Sequence, residues 1–237
     1  MKSLSNSKTE TTVPFRLQEL FALTLLLSYS CILLLFRMRY THTAHYSFLF
    51  WNLFLAEIPL VVALVYAVTR RWLPGRLWLG LCLFAWLLFF PNSPYIITDL
   101  QHLNIYDEMP KWFDPLLFIS SALSGLWAAF YSLRLFETEL RQRLGRWPAH
   151  GFVAGVWLLT GLGIYLGRVL RWNSWDLFRH PRTLFRDIAD PFLNPDGFTQ
   201  PLGLMLLYGS FFWLSYLFWR GYQKAGPAES PAGPLPG

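Results

Sequence analysis

The sequence predicts an all-α integral membrane protein, a six-helix transmembrane bundle whose third helix is broken by prolines. Hydrophobic residues make up 54% of the 237 residues and charged residues only 14%, whereas about a quarter of a soluble domain is charged. Six apolar runs approach the roughly 20 residues that span a bilayer as a helix: 17–36, 46–69, 72–90, 112–136, 152–170 and 201–219. Pro91 and Pro94 then interrupt the third run, because proline supplies no amide hydrogen to a helix.

The first run is interpreted as an anchor that stays in the membrane. Residues 1–16 before it are polar, and no small-residue cleavage pattern follows it, so no cleavable signal peptide is predicted. Residues 221–237 are rich in proline, glycine and alanine. We expect both terminal segments to be disordered, which leaves 17–220 as the membrane domain.

The second run contains two polar residues, Asn52 and Glu57, the latter shortly before Pro59. A carboxyl at the centre of a span costs roughly 2.5–3.5 kcal/mol on insertion scales unless it is protonated or paired. Glu57 is therefore expected to face the interior of the bundle, in either a functional or a packing role.

The third run has a clean apolar core, 77–90, of only 14 residues. The span either begins at Trp72, with Arg76 reaching to the interface, or continues through the prolines to Ile97. The second option places residues 92 and 93 at membrane depth. Because proline disfavours helical angles in the residue before it, the helix is expected to stop or kink. It would restart with Ser93 as the N-cap and Pro94 at the first helical position.

On the restarted helix Tyr95, Asp99, His102 and Tyr106 fall at offsets of 0, 4, 7 and 11, which is one helical face. Asp99 and His102 are one turn apart, so the carboxylate can orient the imidazole for acid–base chemistry. They are the candidate catalytic residues. The structural alternative is that Asp99 stabilises the start of the helix and His102 lies among the lipid headgroups.

Metal and cofactor sites are not predicted. The two cysteines, Cys31 and Cys82, lie in predicted spans and form no metal-binding pattern. The His-x-x-His spacing of His42 and His45 is too short a motif to specify a metal site. A metal site that these histidines share with His102 is the alternative that stays open.

The segment 167–176 ends the fifth run. Arg168 and Arg171 are three apart, hence neighbours on a helix, and such a pair can clamp a phosphate. Ordinary interfacial anchoring, together with Trp172 and Trp175, is the alternative. The connection 171–200 mixes aromatic and charged residues, which favours a structured loop or an interfacial helix.

The net charge of +6 reports orientation rather than nucleic-acid binding, because the basic residues lie at span ends. Six spans put both termini on one side, which then carries twelve of the 20 lysines and arginines. Both termini are therefore predicted to be cytoplasmic. All seven aspartates fall on the opposite side, which also has the longest loops.

Two long motifs, 89–100 and 167–176, and the shorter 51–56, resemble a bacterial family of multi-pass membrane proteins, the domain of unknown function 1361 family. The resemblance implies a bacterial inner-membrane location and no particular activity. Glu57 lies outside the family pattern. Within the motifs the resemblance picks out seven positions: Asn92, Pro94, Asp99, Arg168, Arg171, Asn173 and Asp176.

Three function classes follow from these residues. A protein that binds or transports a polar or anionic solute would use Asn92, Asp99 and the second motif as an outward-facing ligand site. Ligand-binding residues in that motif would be Arg168, Arg171, Asn173 and Asp176. A membrane enzyme acting on a lipid-linked substrate would use Asp99 and His102 as acid and base. A scaffold subunit would need neither, and in every case the lipid bilayer is the surrounding partner.

Overall fold

The computed structural model describes residues 17–103, 108–193 and 199–225. The predicted arm 1–16, Tyr106 and residues 226–237 of the predicted tail lie outside these ranges. The described residues form nine α-helices and one 3-10 segment, and they contain no strand. In chain order these elements are α1 (Leu17–Thr41), α2 (Phe48–Thr69), α3 (Arg76–Phe89), α4 (Asn92–Tyr95), the 3-10 segment Ile96–His102, α5 (Phe113–Leu144), α6 (Arg146–Arg168), α7 (Asp176–Arg179), α8 (Pro181–Leu193) and α9 (Thr199–Ala225).

The predicted fold class is confirmed. Six helices are long and apolar enough to cross a membrane, which requires about 20 residues. They are Leu17–Thr41, Phe48–Thr69, Arg76–His102, Phe113–Leu144, Arg146–Arg168 and Thr199–Gln223. The third of these runs through both prolines and past Ile97, so the helical segment continues as the second of the two options expects.

Helix α5 continues eight residues beyond the predicted run that ended at residue 136. The added residues are mostly glutamate, arginine, leucine and glutamine, which are good helix formers although several are charged. The helix stops at Gly145, whose φ of 93° is a conformation that glycine adopts without a steric penalty.

The chain divides into two compact units, Met1–Ala149 and His150–Gly237. In the first unit α5 is the central helix, buried along most of its length, and α1, α2, α4 and the 3-10 segment pack on it. Two apolar clusters join these elements: one contains Leu34, Tyr46, Leu49, Leu117 and Phe118, and the other contains Leu53, Ala56, Ile96 and Ala122.

In the second unit α9 packs closely against α6. A methyl group added at Gly161 would meet the Met205 backbone, and one added at Gly209 would meet the carbonyl of Trp157. Small residues at such positions let two helices in a membrane approach closely. The predicted structured connection after α6 forms two short helices, α7 and α8. Leu184 of α8 is buried while Phe185 is exposed.

Candidate functional site

The break in the third span is a change in backbone hydrogen bonding between α3 and α4, and the backbone angles at its start stay helical. Phe90 keeps right-handed helical angles, φ −53° and ψ −41°, and so does Pro91, at −58° and −26°. The expectation that Phe90 would leave helical geometry is therefore wrong. The Ser93 amide donates to the carbonyl oxygen of Phe90 at 3.1 Å, a three-residue spacing that tightens the turn.

The Asn92 side chain serves the backbone at this break. Its Nδ2 donates to the carbonyl oxygen of Phe89 at 2.9 Å. This carbonyl lies at the end of α3, where helical acceptors lose their regular donors. Asn92, a predicted ligand residue, thus stabilises the interrupted helix with one of its amide hydrogens.

Ser93 does not act as the N-cap that the sequence predicted. Helix α4 begins at Asn92, two residues before the predicted start at Pro94, and has no side-chain cap. The Ser93 hydroxyl instead donates to the carbonyl oxygen of Ala56 on α2 at 2.5 Å. On the opposite side, a methyl group added at Gly125 of α5 would collide with the carbonyl oxygen of Ser93. The break is therefore held between α2 and α5.

Asp99 is fully buried, with 0% of its surface exposed, on the 3-10 segment that follows the break. Its Oδ2 accepts a hydrogen bond of 2.7 Å from Nδ2 of Asn52 on α2. Asn52 is absent from the site predicted from the sequence. An amide in an otherwise apolar run, which is costly at membrane depth, is the signal that points to it.

His102 ends the same segment and its side chain is exposed. The ring lies edge-on to Phe48, with 5.6 Å between the ring centroids. A 3-10 helix has three residues per turn, so Asp99 and His102, three residues apart, lie on one side of this segment, whereas Tyr95 belongs to α4. The predicted α-helical face is wrong in this respect, because the segment is not α-helical. The acid–base role of the pair stays a prediction.

Two buried or half-buried ion-pair clusters lie near the ends of the helices in the first unit. Arg37 donates to Asp114 through Nε at 2.7 Å and Nη2 at 3.2 Å, and its guanidinium lies 4.2 Å from the centroid of the Tyr46 ring. This pair was not predicted: Arg37 is one of the basic residues that indicate orientation, and Asp114 is one of the seven aspartates on the side opposite the termini.

The second cluster has Glu139 at its centre. Its Oε2 accepts from Nη1 of Arg70 at 2.7 Å and its Oε1 from Nε of Arg143 at 2.6 Å. The carboxylate is buried, whereas the two arginine side chains are 21% and 33% exposed. This three-residue cluster joins the end of α2 to the end of α5.

The second predicted motif lies in the second unit. Helix α6 ends at Arg168, and Arg171 has a left-handed φ of 61°, so the two arginines are not neighbours on one helix. Asp176 accepts from the Asn173 backbone amide at 2.8 Å and from its side-chain amide at 3.4 Å. Trp172 donates to Asp187 at 3.0 Å.

The structure thus brings Asn173 to Asp176, and Asp99 to Asn52, each pair within one unit. A ligand site shared by the two motifs stays a prediction. Among the described residues no group of three histidine, cysteine, aspartate or glutamate side chains could hold a metal ion.

Comparison with known proteins gives one result. No curated protein matches the chain, and no solved structure does. A family described as "Protein of unknown function (DUF1361)" matches residues 51–215, which include Asn52, Asp99 and the whole of the second motif. Because the match covers well over half of the 237 residues, the chain belongs to the DUF1361 family.

Proposed function

We propose that this protein binds a polar solute at the break in its third span and carries it across the membrane. The observation that supports this proposal is Asp99, fully buried in a membrane-span-like helix and hydrogen-bonded to Asn52. An ionisable residue inside a membrane is expensive and usually marks a pathway for a solute, an ion or a proton.

The backbone around Asp99 supports a moving element. The 3-10 segment is seven residues long, although 3-10 runs longer than three or four residues are uncommon and often mark a hinge. A displacement of this segment from α2 would separate Asp99 from Asn52. The carboxylate and the amide would then both be available to a polar solute.

The proposed site faces outward in a bacterial inner membrane. Twelve of the 20 lysines and arginines fall on the side of the termini, which makes that side cytoplasmic by the positive-inside rule. Asp99 lies toward the other end of its span.

One observation favours a second candidate, a membrane enzyme acting on a lipid-linked substrate. His102 is exposed one 3-10 turn after the buried Asp99, at the end of the span. A headgroup arriving from the bilayer would meet this imidazole first. Such an enzyme needs access to Asp99 from one side of the membrane, whereas a transporter needs access from both.

Cysteine accessibility separates the two candidates. Single cysteines at Thr98, which leaves Asp99 intact, and at Asp99 itself would be placed in a chain whose Cys31 and Cys82 are replaced by alanine. A membrane-impermeant thiol reagent would then be added to vesicles of both orientations. Ala122→Cys is the matched control, because Ala122 is also buried and packs beside Ile96.

The transport proposal expects labelling at residues 98 and 99 from both sides of the membrane and no labelling at residue 122. Labelling from one side alone would contradict transport and support the enzyme. Absence of labelling from either side would contradict both, and would leave Asp99 as a packing residue.

A further inference from the structure

Glu57 lies near the middle of α2, away from both aqueous ends. It is nine residues after Phe48 and twelve before Thr69, which at the rise of an α-helix corresponds to about 14 Å and about 18 Å. A carboxylate at this depth has no bulk water to solvate its charge, and ionised acids are costly there. Either a cation or a proton must therefore neutralise it.

The side chains that contact Glu57 or the residue before it, in the part of the chain that the structure describes, include two neutral partners. From α5, the Ser124 hydroxyl donates to Oε1 at 3.3 Å. From α1, the Cys31 side chain packs against the cluster that contains Ala56. The broken third span is engaged elsewhere on α2, through Ser93 at Ala56 and Asp99 at Asn52.

No arginine, lysine or histidine forms an ion pair with Glu57 within the part of the chain that the structure describes. Asp114 and Glu139, two buried acids of this unit, differ from Glu57 in that respect. Asp114 is paired with Arg37, and Glu139 is paired with both Arg70 and Arg143.

We infer that Glu57 is a proton-exchange site: it carries a proton while the third span is packed on α2 and releases that proton to water when the span moves. In the release the O–H bond of the carboxyl breaks, its electron pair stays on the oxygen, and the proton passes to a water molecule. A hydroxyl partner suits both forms, because the Ser124 oxygen can donate to a carboxylate or accept from a neutral acid.

The proton site would give the proposed transporter a way to couple solute movement to a proton gradient. Glu57 is five residues after Asn52, which is about 8 Å along the helix. Water that reaches Asp99 during opening would therefore come near Glu57. This coupling rests on the proposed function, whereas protonation of Glu57 in the closed state does not.

The test uses a hydrophobic carbodiimide, which enters the bilayer and reacts with protonated carboxyl groups to form a stable N-acylurea. The full chain in lipid nanodiscs would be treated at acidic, neutral and alkaline pH, and the modified residue would be identified by mass spectrometry. We expect Glu57 to be modified, with less label at alkaline pH, and Glu139 to remain unmodified because arginine pairing keeps it ionised.

Glu57→Gln keeps the shape of the side chain and its bond to Ser124, and it mimics the neutral acid. We expect this variant to lose the label and, in infrared spectra, the carbonyl band of a protonated carboxyl. Ser124→Ala is a second variant that should keep both signals. An unlabelled Glu57 at every pH, with no band lost in Glu57→Gln, would overturn the inference.

Neither readout requires a solute or a moving third span. The carbodiimide result can therefore support a proton on Glu57 even if cysteines at residues 98 and 99 are inaccessible. Conversely, accessible cysteines with an unreactive Glu57 would support the transport proposal and contradict the proton site.

Discussion

In the first unit, the acidic residues at the ends of the helices have different partners from those farther inside. At one end Asp114 meets Arg37, and at the other Glu139 meets Arg70 and Arg143. Near the middle of α2, Glu57 meets the Ser124 hydroxyl of α5. Five residues closer to the start of α2, the amide of Asn52 meets Asp99, so this carboxyl also has a neutral partner.

If the proposed function is correct, this difference separates residues that hold the fold from residues that act in transport. A carboxylate paired with a guanidinium is locked, since breaking a buried pair exposes a charge to an apolar surrounding. A carboxyl beside a neutral donor can change its protonation state or its partner at lower cost. The ends would therefore keep the helices together while the middle rearranges.

The largest expected effect comes from breaking the end pair at Arg37. Arg37→Met leaves Asp114 buried without its guanidinium, and such losses typically cost about 3–5 kcal/mol. The free energy of unfolding, measured by denaturant titration in detergent micelles, should fall by this amount. The double variant Arg37→Met with Asp114→Leu should recover most of it, because it removes the buried charge as well. A double variant as unstable as the single one would contradict the locking role.

The next prediction concerns the close packing between α5 and the broken third span. Gly125→Ala places a methyl group against the carbonyl oxygen of Ser93, and overpacking of this kind costs about 1–3 kcal/mol. Gly80→Ala is the matched control, because nothing lies within 4 Å of its added methyl group. That variant should gain up to about 1 kcal/mol from helix propensity. Equal effects on the free energy of unfolding would mean that Gly125 does not fix the broken span.

The same substitution, glutamate to glutamine, can be made at Glu139 near the helix ends and at Glu57 in the middle, which compares the two places directly. Glu139→Gln removes the charge that two arginines share, and a hydrogen bond to a charged group contributes about 1.5–3 kcal/mol. Because both arginines are partly exposed, the loss should lie near the lower value. Glu57→Gln should change the free energy of unfolding by less than about 0.5 kcal/mol, since it keeps a neutral partner for Ser124. A large loss at Glu57 would show that its carboxyl is ionised and paired.

Much of this fold follows from local sequence. The six apolar runs predict the six helices because length and hydropathy decide whether a helix can span a membrane, and the two prolines predict the place of the break. The hydrogen bond that the Ser93 hydroxyl makes was not predictable, because N-cap preferences describe helices whose ends are exposed to water. Here the hydroxyl finds the Ala56 carbonyl of another helix.

The candidate site is less predictable than the fold. Asp99 was identified from the motif, but its partner Asn52 is 47 residues away, and no local pattern predicts a contact at that distance. Arg37 and Asp114 are separated by 77 residues. The sequence places both near the ends of helices, and only packing brings them together. Long-range pairing of polar side chains is what the sequence left open.

A smaller loss than that expected for Glu139→Gln concerns the hydrogen bond that holds the break to α2. Ser93→Ala removes the interhelical bond to Ala56, at a cost of about 1 kcal/mol. Ser121→Ala is the control, since that buried hydroxyl bonds within its own helix, to Leu117, and such bonds add little or nothing to helix stability. Both variants would be compared by unfolding and by labelling of a cysteine at residue 98. If the broken third span opens while the arginine pairs hold, Ser93→Ala should raise the labelling rate at residue 98 severalfold, whereas Ser121→Ala should not. An unchanged rate would mean that this hydrogen bond does not restrain the third span.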